Sequence, residues 1–293
     1  MAIGTTFINL QTDFGFKRLF GSKKHTHILL RFINALFEGR MVVTDVEFHD
    51  KEILPHSTDG KKIIYDIYCT TDTGKHFILE MQQSDTPNFS KRILFYTSQA
   101  IVGQGQRGVN YEIQPVYTII ITGFDLRNMS KKLVHEILLK ERISNEIYSE
   151  DIILMFISLE QVKEEWNKCN TELEKLLYLI KNMHKMDKNS EPYRSKKYAD
   201  LFDASETSML AAEDVVAYSQ SYEKMVEDQA AIAYAGELSR IEGRKEGRKE
   251  GMQEGRRQAA IEVARKLMAM NMDISTIADV TGLDRNVIAG LGN

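Results

Sequence analysis

Apolar residues recur at helical spacing between Asp13 and Phe37: first Phe16, Leu19 and Phe20, then Leu29, Leu30, Phe32, Ile33 and Leu36. Gly21 falls between the two groups, so the segment reads as a helix with a break near that glycine. Three strand candidates follow: Val42 to Phe48, Lys61 to Thr70 (KKIIYDIYCT) and Lys75 to Gln83 (KHFILEMQQ). The last two are rich in Ile, Tyr and Phe, which suit a pleated, half-buried surface. Phe89 to Val102 has the pattern of an amphipathic helix. Val116 to Thr122 (VYTIIIT) is a nearly continuous β-branched run, the pattern of a strand covered on both faces. Ile152 to Leu159 offers one more strand, and Gln161 to about Ser239 is mostly helical and acidic. The order helix, three strands, helix, strand predicts an α/β fold: an α-β-β-β-α-β core with a mixed sheet, then a mostly helical C-terminal region.

The turn between the second and third strands fixes a register. A three-residue loop, Asp72 to Gly74, with Gly74 in the left-handed conformation, pairs Thr71 with Lys75. Continued along the strands, that register sets Asp66 opposite Glu80. Their Cβ atoms are then about 4.5–5.5 Å apart on one face. Two like charges so placed need a divalent cation, a proton or a basic partner. Gln82, two residues beyond Glu80, joins the same face. Ile63, Tyr65, Ile67, Phe77, Leu79 and Met81 take the opposite face and are the predicted core of the hairpin. Two carboxylates at this spacing suit Mg²⁺, with Mn²⁺ as the alternative, and the backbone carbonyl of Met81 offers a further ligand. A metal there polarises a phosphate and lowers the pKa of a bound water. The plainer alternative is a pair of solvated strand acids, since a slip of one residue flips the faces.

Towards the C-terminus the periodicity changes. In EGRKEGRKEGMQEGRR, Glu recurs at 242, 246, 250 and 254 and Gly at 243, 247, 251 and 255. A period of four drifts by about 40° per repeat on a helix. Each glycine costs about 1 kcal/mol against alanine. The segment is either a flexible charged linker or a helix whose glycine stripe lets another helix approach and drives homo-oligomerisation. Beyond it, Ile274, Ile277, Ala278, Thr281, Gly282, Leu283, Val287 and Ile288 have helix-turn-helix spacing with Gly282 in the turn. Arg285 is the single basic group of the second helix, which favours a hairpin for protein contacts over a DNA reader. The expected organisation is therefore a core over residues 1–160, a helical extension over 161–239, the repeat over 240–258 and a small helical tail over 259–293.

Composition narrows the picture only modestly. A chain of 293 residues, 43% hydrophobic and 27% charged, is long enough for a sizeable core. The net charge of −4 does not advertise a polyanion partner, so a nucleic-acid surface has to be a local basic patch. Cys69 and Cys169 have no metal-type spacing and fit a reducing, cytoplasmic setting. No run has the length and apolarity of a membrane span, and no signal-peptide pattern opens the sequence. Gly103 to Gly108 contains G-x-G-x-x-G, but it follows a helix and precedes a strand, the reverse of a dinucleotide-binding turn.

Asp66 followed by Glu80-x-Gln82 resembles the PD-(D/E)xK nuclease signature with Gln in place of the final Lys. The wider text is similar to one family, the PD-(D/E)xK nuclease family transposases, also called recombination-promoting nucleases. The matching segments are Thr12 to Gly21 (TDFGFKRLFG), Asp66-Ile67, Leu79 to Gln82, Arg92 to Tyr96, Gly108 to Tyr111, and the Glu-Gly-Arg repeat with its helical tail. The resemblance implies a restriction-endonuclease-like core and metal-dependent hydrolysis of DNA phosphodiesters, in recombination, mobile-element or phage-defence biology. It also implies Asp66 and Glu80 as metal ligands and Gln82 in the place of the water-orienting lysine. A neutral amide hydrogen-bonds a water but does not stabilise a hydroxide by charge. Lys17 is the expected source of that charge, or else a solvated lysine or a DNA-backbone contact. Asp13, one turn before it, is either its i, i+4 partner or cap, or a remote acidic site residue. Arg18, Lys91 and Arg92 are the expected phosphate contacts, with Lys23, Lys24, Lys61 and Lys62 nearby. The competing expectation is a catalytically impaired DNA-binding or protein-interaction module that keeps the fold.

Overall fold

The computed structural model describes residues 4–49, 52–53, 63–105 and 112–291. Lys61, Lys62 and the stretch Gly108 to Tyr111 lie outside them. The first helical segment divides as expected into α1 (Asp13–Phe20) and α2 (Thr26–Leu36), with Gly21 capping α1. Next come β1 (Val46–Phe48), β2 (Glu52–Ile53), β3 (Ile63–Ile64), β4 (Ile67–Thr71) and β5 (His76–Gln82). Then follow α3 (Phe89–Val102), β6 (Val116–Thr122), β7 (Val134–Lys140) and β8 (Ile147–Ser158). The helical region holds α4 (Glu172–Asn182), α5 (Glu191–Arg194), α6 (Ala199–Ser205), α7 (Ala212–Ala269), α8 (Ile274–Thr281) and α9 (Arg285–Gly290).

Six strands form one sheet in the order β1-β4-β5-β6-β8-β7, and β2 pairs with β3 separately. The β5–β6 and β6–β8 ladders are parallel and the rest antiparallel. The fold is thus the expected α/β core on a mixed sheet. Strand β6 lies inside the sheet, and both its faces are covered. Ile119 and Ile121 join the large core with α1, α2, α4 and α6. Val116 and Ile120 face the opposite way, towards Ala100, Phe89 and Ile93 of α3. That double burial is why the sequence there is β-branched almost without interruption.

Two compact units divide the chain, Met1–Gln229 and Ala230–Asn293. In the first, the helices beyond residue 161 share the core of the sheet through Leu176, Leu177, Ile180, Leu201 and Phe202. In the second, Ala264, Ile277 and Ile288 form a small core, with α8 closed by Gly282 at a φ of +68°. The Glu-Gly-Arg repeat is helical and belongs to α7, where residues 226–259 are all exposed.

Three departures from the sequence reading bear on the site. Val42 to Thr44 precede the first strand, which begins only at Val46. Strand β7 has no counterpart among the strands expected from the sequence. The second predicted strand is interrupted at Tyr65 and Asp66, between β3 and β4.

Candidate active site

The β4–β5 hairpin has the register its turn demands. Ile67 pairs with Leu79, Tyr68 with Ile78, Cys69 with Phe77 and Thr70 with His76. Gly74 has a φ of +80°, its N–H donates to Thr71 O (2.9 Å), and Thr71 N donates to Lys75 O (2.9 Å). On this register Asp66 would be the next partner of Glu80, but β4 stops at Ile67. Beyond that point the ladder is closed by side chains. Asp66 N donates to Glu80 Oε1 (3.2 Å), and Met81 N donates to Asp66 Oδ2 (3.1 Å). Each acid thus takes a backbone N–H that the strand end leaves without a carbonyl partner, which buried amides rarely tolerate.

The interruption corrects the expected place of Tyr65. Along an unbroken strand it would share a face with Ile67. Instead it is fully buried on the α3 side, against Ile78 and Ala100. Its ring meets Tyr96 edge-on at 5.8 Å, and its hydroxyl donates to Tyr96 O (2.8 Å). A buried phenol needs such a partner. The other described members of the predicted face, Ile67, Phe77, Leu79 and Met81, are in the large core as expected.

Helix α1 approaches the acids from that core side. Its N-cap is Thr12, whose hydroxyl accepts from Gly15 N (3.0 Å) and donates to Asn9 O (2.7 Å). A Cβ on Gly15 would lie 2.3 Å from Asn9 O, so this turn of the TDFGF motif admits only glycine. The tight start sets Lys17 with its Nζ 2.6 Å from Asp13 and 3.4 Å from Asp66. Asp13 is therefore the i, i+4 partner of Lys17. On the opposite flank, Gln82 Oε1 accepts from Arg92 Nη2 of α3. The Arg92 guanidinium lies 5.9 Å from the Phe89 ring centre.

The electrostatics are uneven across this group. Burial, then the negative charge of Asp66, push the Glu80 carboxyl up to about 8, and Arg92 and Lys17 only partly oppose them. Burial also raises Asp66 despite the Met81 N–H and the Lys17 charge. For Lys17, burial works against the ammonium, but Asp13 and Asp66 outweigh it and hold its pKa above the ordinary value. Tyr96 is raised by burial and then by the Glu80 charge. Two adjacent, largely dehydrated carboxylates favour binding a proton or a cation.

A divalent cation fits these residues. Asp66 and Glu80 offer hard oxygen donors, and the 4% exposure of Glu80 makes an unneutralised charge costly. In an extended strand the N–H and C=O of one residue point to the same edge. The Met81 carbonyl therefore lies on the Asp66 side of β5, beside the N–H that bonds Asp66. Among the described residues no group of three or more His, Cys, Asp or Glu is placed to hold a metal. The two acids offer side-chain oxygens of the kind that a partly hydrated divalent cation takes.

Not every predicted residue is brought here. Arg18 Nη1 lies 2.8 Å from Asp214 and its Nε donates to Ala204 O (3.0 Å), so it ties α1 to the helical region. Lys91 is exposed at the start of α3, next to a cavity of about 380 Å³ that it lines with Ser90, Thr86 and Arg127. Tyr65 is the neighbour of the site that the sequence reading assigned to the wrong face.

An acid pair at the end of an antiparallel hairpin, in a mixed sheet with helices on both faces, defines a nuclease-like α/β protein of the PD-(D/E)XK type. The family model for the PD-(D/E)XK nuclease family transposases matches residues 10–235, and the chain belongs to that family. Membership supports a nuclease- or transposase-related function, and nucleases of this type typically use divalent metals. Comparison with curated proteins and with solved structures gave no match. Among the described residues no helix is long and apolar enough to cross a membrane.

Proposed function

We propose that this protein is a metal-dependent DNA endonuclease serving recombination, mobile-element or phage-defence biology. The observation that carries the reading is the mutual arrangement of Asp66 and Glu80, each bonded to the backbone beside the other and both raised in pKa by burial. Asp66, Glu80 and the Met81 carbonyl hold Mg²⁺, or Mn²⁺ in its place. The bound cation supplies charge stabilisation to the phosphate and acidifies a water. Lys17 holds Asp66 from the α1 side. Gln82, bonded to Arg92, stands at the place of the signature's lysine, and Lys91 meets the DNA backbone. The water oxygen bonds to phosphorus and one P–O ester bond breaks. One water hydrogen ends on the leaving hydroxyl and the other on the new terminal phosphate. DNA as substrate and two free, buried cysteines support a reducing, cytoplasmic setting.

The test is cleavage of supercoiled plasmid with Mg²⁺, Mn²⁺ or EDTA, beside Asp66→Asn, which keeps an oxygen for the Met81 N–H. Cutting that needs the metal and disappears in the variant supports the site. Cutting that survives in Asp66→Asn refutes it. DNA binding without cutting under any metal favours a catalytically impaired binding module.

The C-terminal helices support a homo-oligomer. Around the helix, neighbouring residues are about 100° apart. Gly243, Gly247 and Gly255 are therefore flanked by Glu242, Glu246 and Glu254 on one side and by Arg244, Arg248 and Arg256 on the other. In a parallel two-fold pair the left flank of one helix meets the right flank of its partner, so Glu rows face Arg rows. An antiparallel pair would set like charges together. The arrangement favoured is a parallel pair of α7 helices, crossing right-handed because the stripe repeats more slowly than 3.6 residues. Within the second unit, Arg285 Nη2 donates to Ser275 Oγ (2.9 Å), which favours a protein-contact role for the α8–α9 hairpin over DNA reading.

A further inference from the structure

Gln82 stands where the nuclease signature has a lysine, and an amide brings no charge to that place. The structure shows what the amide does. A guanidinium only donates, so the contact with Arg92 fixes which end of the Gln82 side chain faces it: Oε1 accepts, and the NH₂ group points away. Arg92 is in the first turn of α3, a helix anchored on the sheet through Phe89, Ile93 and Ala100. Its guanidinium is steadied by the Phe89 ring at 5.9 Å and by Gln82, which stands two residues beyond Glu80 on β5. Lys17, the other cation at the acids, is held by Asp13 at 2.6 Å and Asp66 at 3.4 Å and lies on the α1 side. Among the described residues, Arg92 is thus the cation that reaches the position of the missing lysine.

We propose that Arg92 is a catalytic residue, contacting the attacked phosphate and stabilising the charge that builds on its oxygens, and that Gln82 is the positioning residue that aims it. The assignment rests on the nuclease reading above. Gln82 engages one N–H of a planar, multi-donor group, and those that remain suit two phosphate oxygens at once. The Gln-for-Lys exchange therefore moves the charge from the strand to the adjacent helix instead of deleting it. The guanidinium, half-buried beside the Phe89 ring and bonded to Gln82, is restricted before DNA arrives, so less ordering is left to the bound state. An arginine used only as a backbone contact would add affinity and salt dependence equally across sequences and would leave turnover alone.

The experiment compares wild type with Arg92→Gln, Arg92→Lys, Gln82→Ala, Gln82→Lys and the double variant Arg92→Gln/Gln82→Lys. Two readouts are taken: steady-state cleavage of a duplex in Mg²⁺ or Mn²⁺, and anisotropy titrations of the same duplex in EDTA over a NaCl series. Thermal melts confirm that each variant folds. Arg92→Gln is expected to lower kcat about 100-fold, the usual loss when one charge-stabilising donor is removed. Its EDTA affinity is expected to change less than about threefold and its salt slope little. Arg92→Lys should recover part of the loss, and Gln82→Lys in the Arg92→Gln background should recover at least about tenfold. Gln82→Ala should lower kcat less than Arg92→Gln. A variant Arg92→Gln that cuts at the wild-type kcat but binds weakly in EDTA, with a salt slope reduced by about one, would show a mere backbone contact and overturn the assignment. No cutting by wild type under any metal would bring down the nuclease reading, and this assignment with it.

Discussion

Gly15 and Gly247 are the same residue in helices of the same protein, and they are present for opposite reasons. At Gly15 a side chain would strike the backbone of the chain itself, 2.3 Å from Asn9 O and 3.0 Å from Leu10 Cα. At Gly247, and equally at Gly243, Gly251 and Gly255, a Cβ would meet nothing within 4 Å. The first unit explains its own glycine: a tight N-terminal turn of α1 that delivers Lys17 to Asp66. The exposed stretch of α7 offers no such reason, although each glycine weakens the helix by about 1 kcal/mol. Nothing within the single chain repays that cost, and the alternating Glu and Arg flanks are the ground for the homo-oligomer proposed above.

The sharpest division is between chemistry and assembly. Asp66→Asn should abolish metal-dependent cutting, a loss of at least about 1,000-fold in kcat/KM. Deletion of residues 240–293 should lower the mass seen by light scattering and leave the melting temperature of the core within about a degree or two. A core that unfolds on that deletion, or a mass that stays monomeric throughout, would dissolve the distinction. Next in size is Gly15→Ala, expected to cost about 2–4 kcal/mol in chemical denaturation because the obstructing atoms are backbone. A neutral result would mean that the α1 turn relaxes freely.

The acid pair gives a pH signature confined to the first unit. The Glu80 carboxyl titrates at the usual 4.5 in the unfolded chain and near 8 in the folded one. The folded state therefore holds the proton more tightly, and stability drains away as pH rises from about 4.5 to about 8. Without metal, Glu80→Gln should match wild type near pH 4.5 and exceed it near pH 8 by up to about 4 kcal/mol. Saturating Mg²⁺ should narrow that gap, and parallel melting curves at both pH values would contradict the burial argument. The smallest effect belongs to α7. Gly247→Ala should raise helicity by circular dichroism, worth about 1 kcal/mol, while lowering oligomer mass. A gain in both would remove the glycine stripe from the interface.

Much of the first unit was legible because local signals agreed with tertiary demands. Phe89–Val102 and Val116–Thr122 have the bounds read from the sequence, since each joins a clear period to firm ends. The hairpin register followed from Gly74, because a left-handed residue there allows one turn and one pairing. The break at Tyr65 and Asp66 was not legible. Ile63 to Tyr68 alternates like an uninterrupted strand, and only the end of the ladder at Ile67 shows why Asp66 leaves it. Strand β7 escaped because it is an edge strand, buried at His135 but exposed along much of its length. The partnership of Gln82 with Arg92 joins a strand to a helix through packing that no spacing rule encodes. Arg18 was misplaced for the same reason, since Asp214 meets it from far along the chain.

The reciprocal bonds at the end of the hairpin have a practical consequence for anyone making an inactive control. Because Asp66 and Glu80 double as rungs of the sheet, truncating either to alanine removes a hydrogen-bond acceptor as well as a proposed metal ligand, and it strands a main-chain amide. Lost cutting in such a protein confounds a dead enzyme with a frayed strand. Asparagine at 66 or glutamine at 80 retains an oxygen for the waiting N–H and gives up the negative charge. Amide isosteres are therefore the clean knockouts here, and alanine the blunt ones.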